Sequence, residues 1–132
     1  MDILIYTRDD LEYERLRRVM EAQAGYINAH RDRLDGGGHL KRDYDAVVLA
    51  GGDGENLELL GQWKRRHPAT PAILVMDGEA YQADAMRLHA FDYLLRPVRD
   101  ERVAKTTLDM LPFCPDKHCF YFPAKEVITD EI

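Results

Sequence analysis

The chain has 132 residues, enough for one domain around a single core, and sets 18 Lys and Arg against 24 Asp and Glu for a formal net charge of -6. That acidic balance argues against this chain wrapping nucleic acid by itself, which needs a basic face, and the absence of a long apolar run or a leader-like start gives an expected cytoplasmic location without membrane contact. Cys114 and Cys119 are too few for a secreted disulfide scaffold.

Ile3-Leu4-Ile5-Tyr6 is a compact apolar strand. The acidic Asp9-Asp10 then opens a helix in which Leu11, Leu16, Val19 and Met20 recur at helical spacing, and Gly25 ends it. Residues 26–29 predict a second strand. Asp35-Gly36-Gly37-Gly38 breaks the chain before a short, weakly periodic stretch. A third strand over 46–49 runs into the turn Gly51-Gly52-Asp53-Gly54, and the helix that follows carries Leu57, Leu60 and Trp63 on one side until Pro68 closes it. Ala72-Ile73-Leu74-Val75-Met76 is a continuous apolar run of the kind buried on both faces. A helix is expected over 80–90, a fifth strand over 93–95 and a last helix over 99–111. Strands alternating with helices imply an α/β fold with a parallel sheet covered on both faces by right-handed crossovers.

In such a sheet, ligands sit outside the carboxyl ends of the strands. The fifth strand, in Phe91-Asp92-Tyr93-Leu94-Leu95-Arg96-Pro97, stops at a cation followed at once by proline, so Arg96 belongs to whatever site exists. The third strand ends in Ala50, where a phosphate-accepting or metal-binding site would want a carboxylate. The alternation and the segment Asp92-Tyr93-Leu94-Leu95-Arg96-Pro97 resemble the receiver domains of bacterial response regulators, where the stretch commonly reads Asp-Tyr-Leu-Leu-Lys-Pro. The resemblance spans about residues 2–111, is strongest over 71–98, and is greatest to receivers that precede LytTR-type DNA-binding domains. It implies a flavodoxin-like (CheY-like), doubly wound five-stranded parallel sheet in the order 2-1-3-4-5.

A working receiver of that kind needs an acidic pair for magnesium, an aspartate acceptor, a small hydroxyl and a lysine; carboxylates hold the hard cation, and cation and lysine neutralise the transferring phosphoryl. The corresponding positions here read Thr7 and Arg8 with Asp9 just beyond, then Ala50, Met76 and Arg96, with Asp77 next to Met76; only Pro97 and the aromatic Tyr93 persist. The resemblance therefore implies an atypical receiver that is independent of phosphorylation, with a degenerate pocket, no cofactor, no metal and no enzymatic activity. It further implies a cis Arg96-Pro97 peptide that aims the guanidinium inward, where Asp9, Asp53 or Asp77 could pair with it. One variant keeps phosphorylation by using Asp53 as a displaced acceptor in a shortened turn; against it, a glycine-rich turn holds a carboxylate loosely, and the plain reading of these residues is a tight turn.

The same turn, Gly51-Gly52-Asp53-Gly54, also resembles the Gly-Gly-Asp-Gly nucleotide-binding motif of diacylglycerol kinase and NAD kinase relatives, although Glu55 replaces the usual threonine. Cys114, His118 and Cys119 offer three zinc ligands where a structural site wants four, so a linker is the reading there. Lys64-Arg65-Arg66-His67 complements a helix C-terminus, and His30 and His39 read as solvated. Residues 1–111 form the receiver-like domain. Residues 112–132, with Phe120-Tyr121-Phe122, read as a linker and the opening of a LytTR-like DNA-binding domain, through which alone DNA would be reached. By the resemblance, a homodimer or a signalling partner would use the face of the fourth helix, fifth strand and fifth helix (80–90, 93–95 and 99–111). Its expected residues are the switch position Tyr93 with Arg87, His89, Arg99, Arg102 and Lys105.

Overall fold

Three uninterrupted apolar runs become the inner strands of a parallel sheet in a computed structural model of the chain, which describes residues 1–32 and 43–114. These are β1 (Asp2–Tyr6), β3 (Ala46–Leu49) and β4 (Ala72–Met76), flanked by the edge strands β2 (Asn28–Asp32) and β5 (Asp92–Leu95) in the order β2-β1-β3-β4-β5. All pairings are parallel; Ile5 stands between Arg31 and Val48, and Leu74 between Leu49 and Tyr93. This is the flavodoxin-like, doubly wound sheet expected from the sequence.

Two apolar layers result from strand alternation. Ile3, Ile5, Val48, Ile73 and Val75 face helices α1 (Asp10–Glu21) and α4 (Asp100–Met110), which contribute Leu16, Val19, Met20, Val103 and Met110. Leu4, Tyr6, Val47, Leu49, Leu74 and Met76 face α2 (Asp53–Arg66) and α3 (Gln82–Arg87), with Leu60, Trp63 and Ala85 packed on them. Trp63 is fully buried and alone brings one of the larger apolar surfaces a core can bury.

Some boundaries and faces differ from expectation. Leu11 lies outside the apolar stripe of α1 and is 82% exposed, because Asp9 caps the helix and so sets its phase. The second strand starts two residues later than its apolar onset: Ile27 is buried ahead of it, and pairing with β1 fixes β2 from Asn28. The helix expected over 80–90 contracts to α3, which ends where His89 takes a left-handed backbone φ of 62°. The last helix continues into a 3₁₀ turn, Leu111–Phe113, and Cys114 is buried against the core instead of lying in a linker. The glycine-rich break at 35–38, the weakly periodic stretch after it, His39, His118, Cys119 and the aromatic tail lie outside the described residues. The helices flanking β5 are accordingly α3 and α4 here.

Candidate functional site

The parallel sheet brings the carboxyl ends of β1, β3, β4 and β5 together, and with them Thr7, Arg8, Asp9, Ala50, Asp53, Met76, Asp77, Arg96 and Pro97. The Arg96-Pro97 peptide is cis, as the resemblance implies. Arg96 turns inward and is largely enclosed. Its Nε donates to Glu12 Oε2 at 2.9 Å and its Nη2 to Glu12 Oε1 at 3.2 Å, a bidentate pairing; Nη2 also donates to the carbonyl of Ala50 at 2.6 Å and Nη1 to Asp77 at 3.1 Å. Burial pulls the guanidinium toward deprotonation, but Glu12 and Asp77 outweigh it and raise its pKa.

Of the three aspartates considered as partners, Asp77 alone pairs with Arg96. Asp9 caps α1, taking the amides of Leu11 and Glu12, and Asp53 takes the amides of Asp77 and Gly78 at 2.7 and 3.0 Å. The main partner, Glu12, follows the Asp9 cap by three residues, at the place a capping-box glutamate would occupy. Here its carboxylate accepts from Thr7 and Arg96 instead. That spacing, Asp-x-x-Glu after a strand, places Glu12 in the first turn of α1 but does not by itself aim its carboxylate at Arg96.

Arg8 does not stand beside Arg96 as an unpaired like charge. It reaches across to Glu55 with two bonds, 2.7 and 2.6 Å, and lies over the ring of Tyr6 at 5.5 Å. Tyr6 donates to the same carboxylate at 2.7 Å. The Arg8 bonds hold the Glu55 carboxyl down at about 2 against the opposing effect of burial, with help from Tyr6 and the Gly52 amide. Burial first, then the hydrogen bond to Glu55, pushes the Tyr6 phenol up to about 12.

The glycine turn is held by side chains. Gly51 packs so closely on Tyr6 and Glu55 that a Cβ would lie 2.6 Å from the ring and 2.4 Å from the carboxylate, which only glycine avoids. Its amide donates to Asn56 at 2.7 Å, and that of Gly52 donates to Glu55 at 3.3 Å. The amides a phosphate would need are therefore engaged, with a carboxylate over them, which does not suit a nucleotide. Asn56 is fully buried and also donates to the carbonyl of Val75 at 2.9 Å and to the sulfur of Met76.

These residues do not fit magnesium. Where the resemblance would put a carboxylate pair stand Thr7 and Arg8, Ala50 brings no oxygen ligand from its side chain, and the Arg96 guanidinium donates to the Ala50 carbonyl.

On the outer face, Tyr93 donates to the carbonyl of Gly78 at 2.6 Å, and burial, then Asp53, raises its pKa. Arg87 pairs with Asp84 and Lys105 with Asp109 along their own helices, while His89 and Arg99 are exposed. Arg102 is less available than expected: it is committed to Asp92 at 2.8 Å and to Thr106. Burial would raise the Asp92 carboxyl, but Arg102, Thr106 and the Tyr93 amide hold it below its usual range. Elsewhere, Lys64 donates to the carbonyl of Thr70, the His67 ring stacks on Trp63 at 4.1 Å, and His30 lies 3.0 Å from Asp2 at the surface. No helix among the described residues is long and apolar enough to cross a membrane.

No protein-family model matches the sequence, and no curated protein does. Solved structures of receiver domains are similar in fold. The response regulatory domain of protein mrkE from Klebsiella pneumoniae matches with a TM-score of 0.72 and 19% identity, over 85% of this chain and 96% of that one. An atypical orphan response regulator, described by its title as having a phosphorylation-independent regulatory mechanism, matches at 0.69 and 18% identity, over 86% and 97%. A CheY-like response regulator receiver domain protein from Methanospirillum hungatei matches at 0.70 and 16% identity, over 84% and 93%. At such identities what is shared is the fold.

Proposed function

We propose that this chain is a phosphorylation-independent receiver domain of a response regulator, acting through protein contacts and not as an enzyme. The observation that carries the reading is Arg96: its guanidinium lies at the carboxyl ends of the strands, bonded to Glu12, Asp77 and the Ala50 carbonyl. By the resemblance, a phosphoryl group, its aspartate and a cation would meet there. Ala50 has no nucleophile. Asp53, the one displaced candidate, has both carboxylate oxygens bonded to the amides after β4. The neighbour titled as phosphorylation-independent supports the same regime for a receiver fold.

In this reading the ion pairs around Arg96 replace the contact of a phosphoryl group with lysine and hold one conformation, with Tyr93 anchored to Gly78. The output surface is the face of α3, β5 and α4, which exposes Arg87, His89, Arg99 and Lys105 beside the apolar Met86 and Leu95. A second copy of the chain, or a signalling partner, docks there in the cytoplasm. DNA is contacted only through a further domain of LytTR type, joined after Cys114.

Intact-mass measurement after incubation with magnesium and a small phosphodonor tests the proposal. The expected mass is unchanged. A gain of one phosphoryl group that disappears in Asp53→Asn would overturn it.

A further inference from the structure

A cavity of about 490 Å³ opens between α1 and the start of α4, beside the Arg96 cluster. Its size is that of a small-molecule site, and its composition follows the same pattern of an apolar floor with a few polar groups. Leu16, Val75, Val98 and Val103 form the buried part, and the exposed Leu11 also lines it.

The polar wall is asymmetric. Asp9 is turned into the cap of α1, and Glu12 is taken by Thr7 and Arg96. Arg15 donates from Nε to Asp100 at 2.7 Å and from Nη2 to the carbonyl of Val98. Its Nη1 has no bond among the described residues, and its pair with Asp100 is solvent-exposed and cheap to rearrange. The remaining donor of this wall is therefore the Arg15 guanidinium, a cation at the edge of an apolar hole, while Asp9 commits Oδ1 alone to its cap.

We propose that this cavity binds a small molecule with an apolar body and a single carboxylate head, the body on the four buried residues and the head on Arg15. Because the Arg96 and Glu12 side chains form part of the wall, occupancy is felt by the ion pair that organises the neighbouring site. The inference stands whether or not the domain takes a phosphoryl group, since no residue proposed to hold the ligand belongs to the acceptor position.

Octanoate, with 1-octanol as the partner lacking the carboxylate, is titrated into the full chain while backbone amide resonances are followed. The expected result is saturable shifts at the amides of Leu16, Val98 and Val103 with a Kd at or below about 1 mM. Arg15→Gln is expected to weaken octanoate by about tenfold and leave 1-octanol unchanged. The proposal is overturned by a lack of saturation at those amides, by shifts of equal size around the exposed Met86 and Leu108, or by equal octanoate affinity in Arg15→Gln. Failure of this titration leaves the mass measurement unaffected, so the two readings fail separately.

Discussion

Each arginine at the carboxyl ends of the strands has found its own carboxylate, and the positions of these pairs decide what the site can do. Arg8 and Glu55 form the more exposed pair, and its contribution carries a pH signature. The Glu55 carboxyl titrates at about 2 in the folded protein against an ordinary 4.5. Above 4.5 both states are ionised and the pair contributes in full; between 4.5 and about 2 the unfolded chain takes the proton first and the contribution drains away. Urea unfolding from neutral pH down to about pH 3 should show that loss in the parent chain, and a flatter acid limb in Arg8→Gln. At neutral pH the substitution should cost only about 1 kcal/mol, because solvent screens the arginine. Identical profiles for the two proteins would contradict the assignment. Asp77 was legible as a partner of Arg96 because it directly follows the fourth strand. Glu12 was not, since its direction depends on the phase of α1, which the Asp9 cap sets and the apolar pattern misreads through Leu11. The Arg8–Glu55 pair was not legible for a similar reason: Glu55 lies 47 residues away and comes near only when β1 and β3 pair.

The inner strands are the elements most plainly written in the sequence, because burial on both faces demands unbroken apolar runs. Edge elements are weaker signals. β2 mixes Asn28, His30 and Arg31 with one side facing solvent, so its register comes from β1 and not from its own pattern. α3 is short and ends at His89 in a left-handed conformation, which no glycine announces. The turn between β3 and α2 depends on a residue that no pattern singled out. Asn56 accepts from the Gly51 amide and donates to the carbonyls of Gly51 and Val75, fastening two adjacent strand ends from within the core. Asn56→Ala should therefore strand buried polar groups and lower the unfolding free energy by about 2 to 3 kcal/mol in urea titrations. A loss below about 0.5 kcal/mol would mean that water replaces the amide without penalty.

Across the whole molecule, a sheet that serves as a scaffold for phosphoryl chemistry elsewhere here carries an internally neutralised cluster. Cation, carboxylates and backbone carbonyls satisfy one another at the carboxyl ends of the strands. The architecture was legible from alternation and from the resemblance of a single strand and its proline. The site was only half legible, since Ala50 at the end of the third strand could be read from the sequence while the partners of Arg96 required the third dimension. The claim that Arg96 is the keystone of this cluster rests on geometry lysine cannot copy: a fork spanning both oxygens of Glu12 and reaching Asp77 and Ala50 as well. The most direct measurement is the unfolding free energy of Arg96→Ala and Arg96→Lys beside the parent chain. The expected result is a loss of about 2 to 3 kcal/mol for alanine, with lysine restoring less than half of it. An alanine variant as stable as the parent, or a lysine variant that restores everything, would contradict the account.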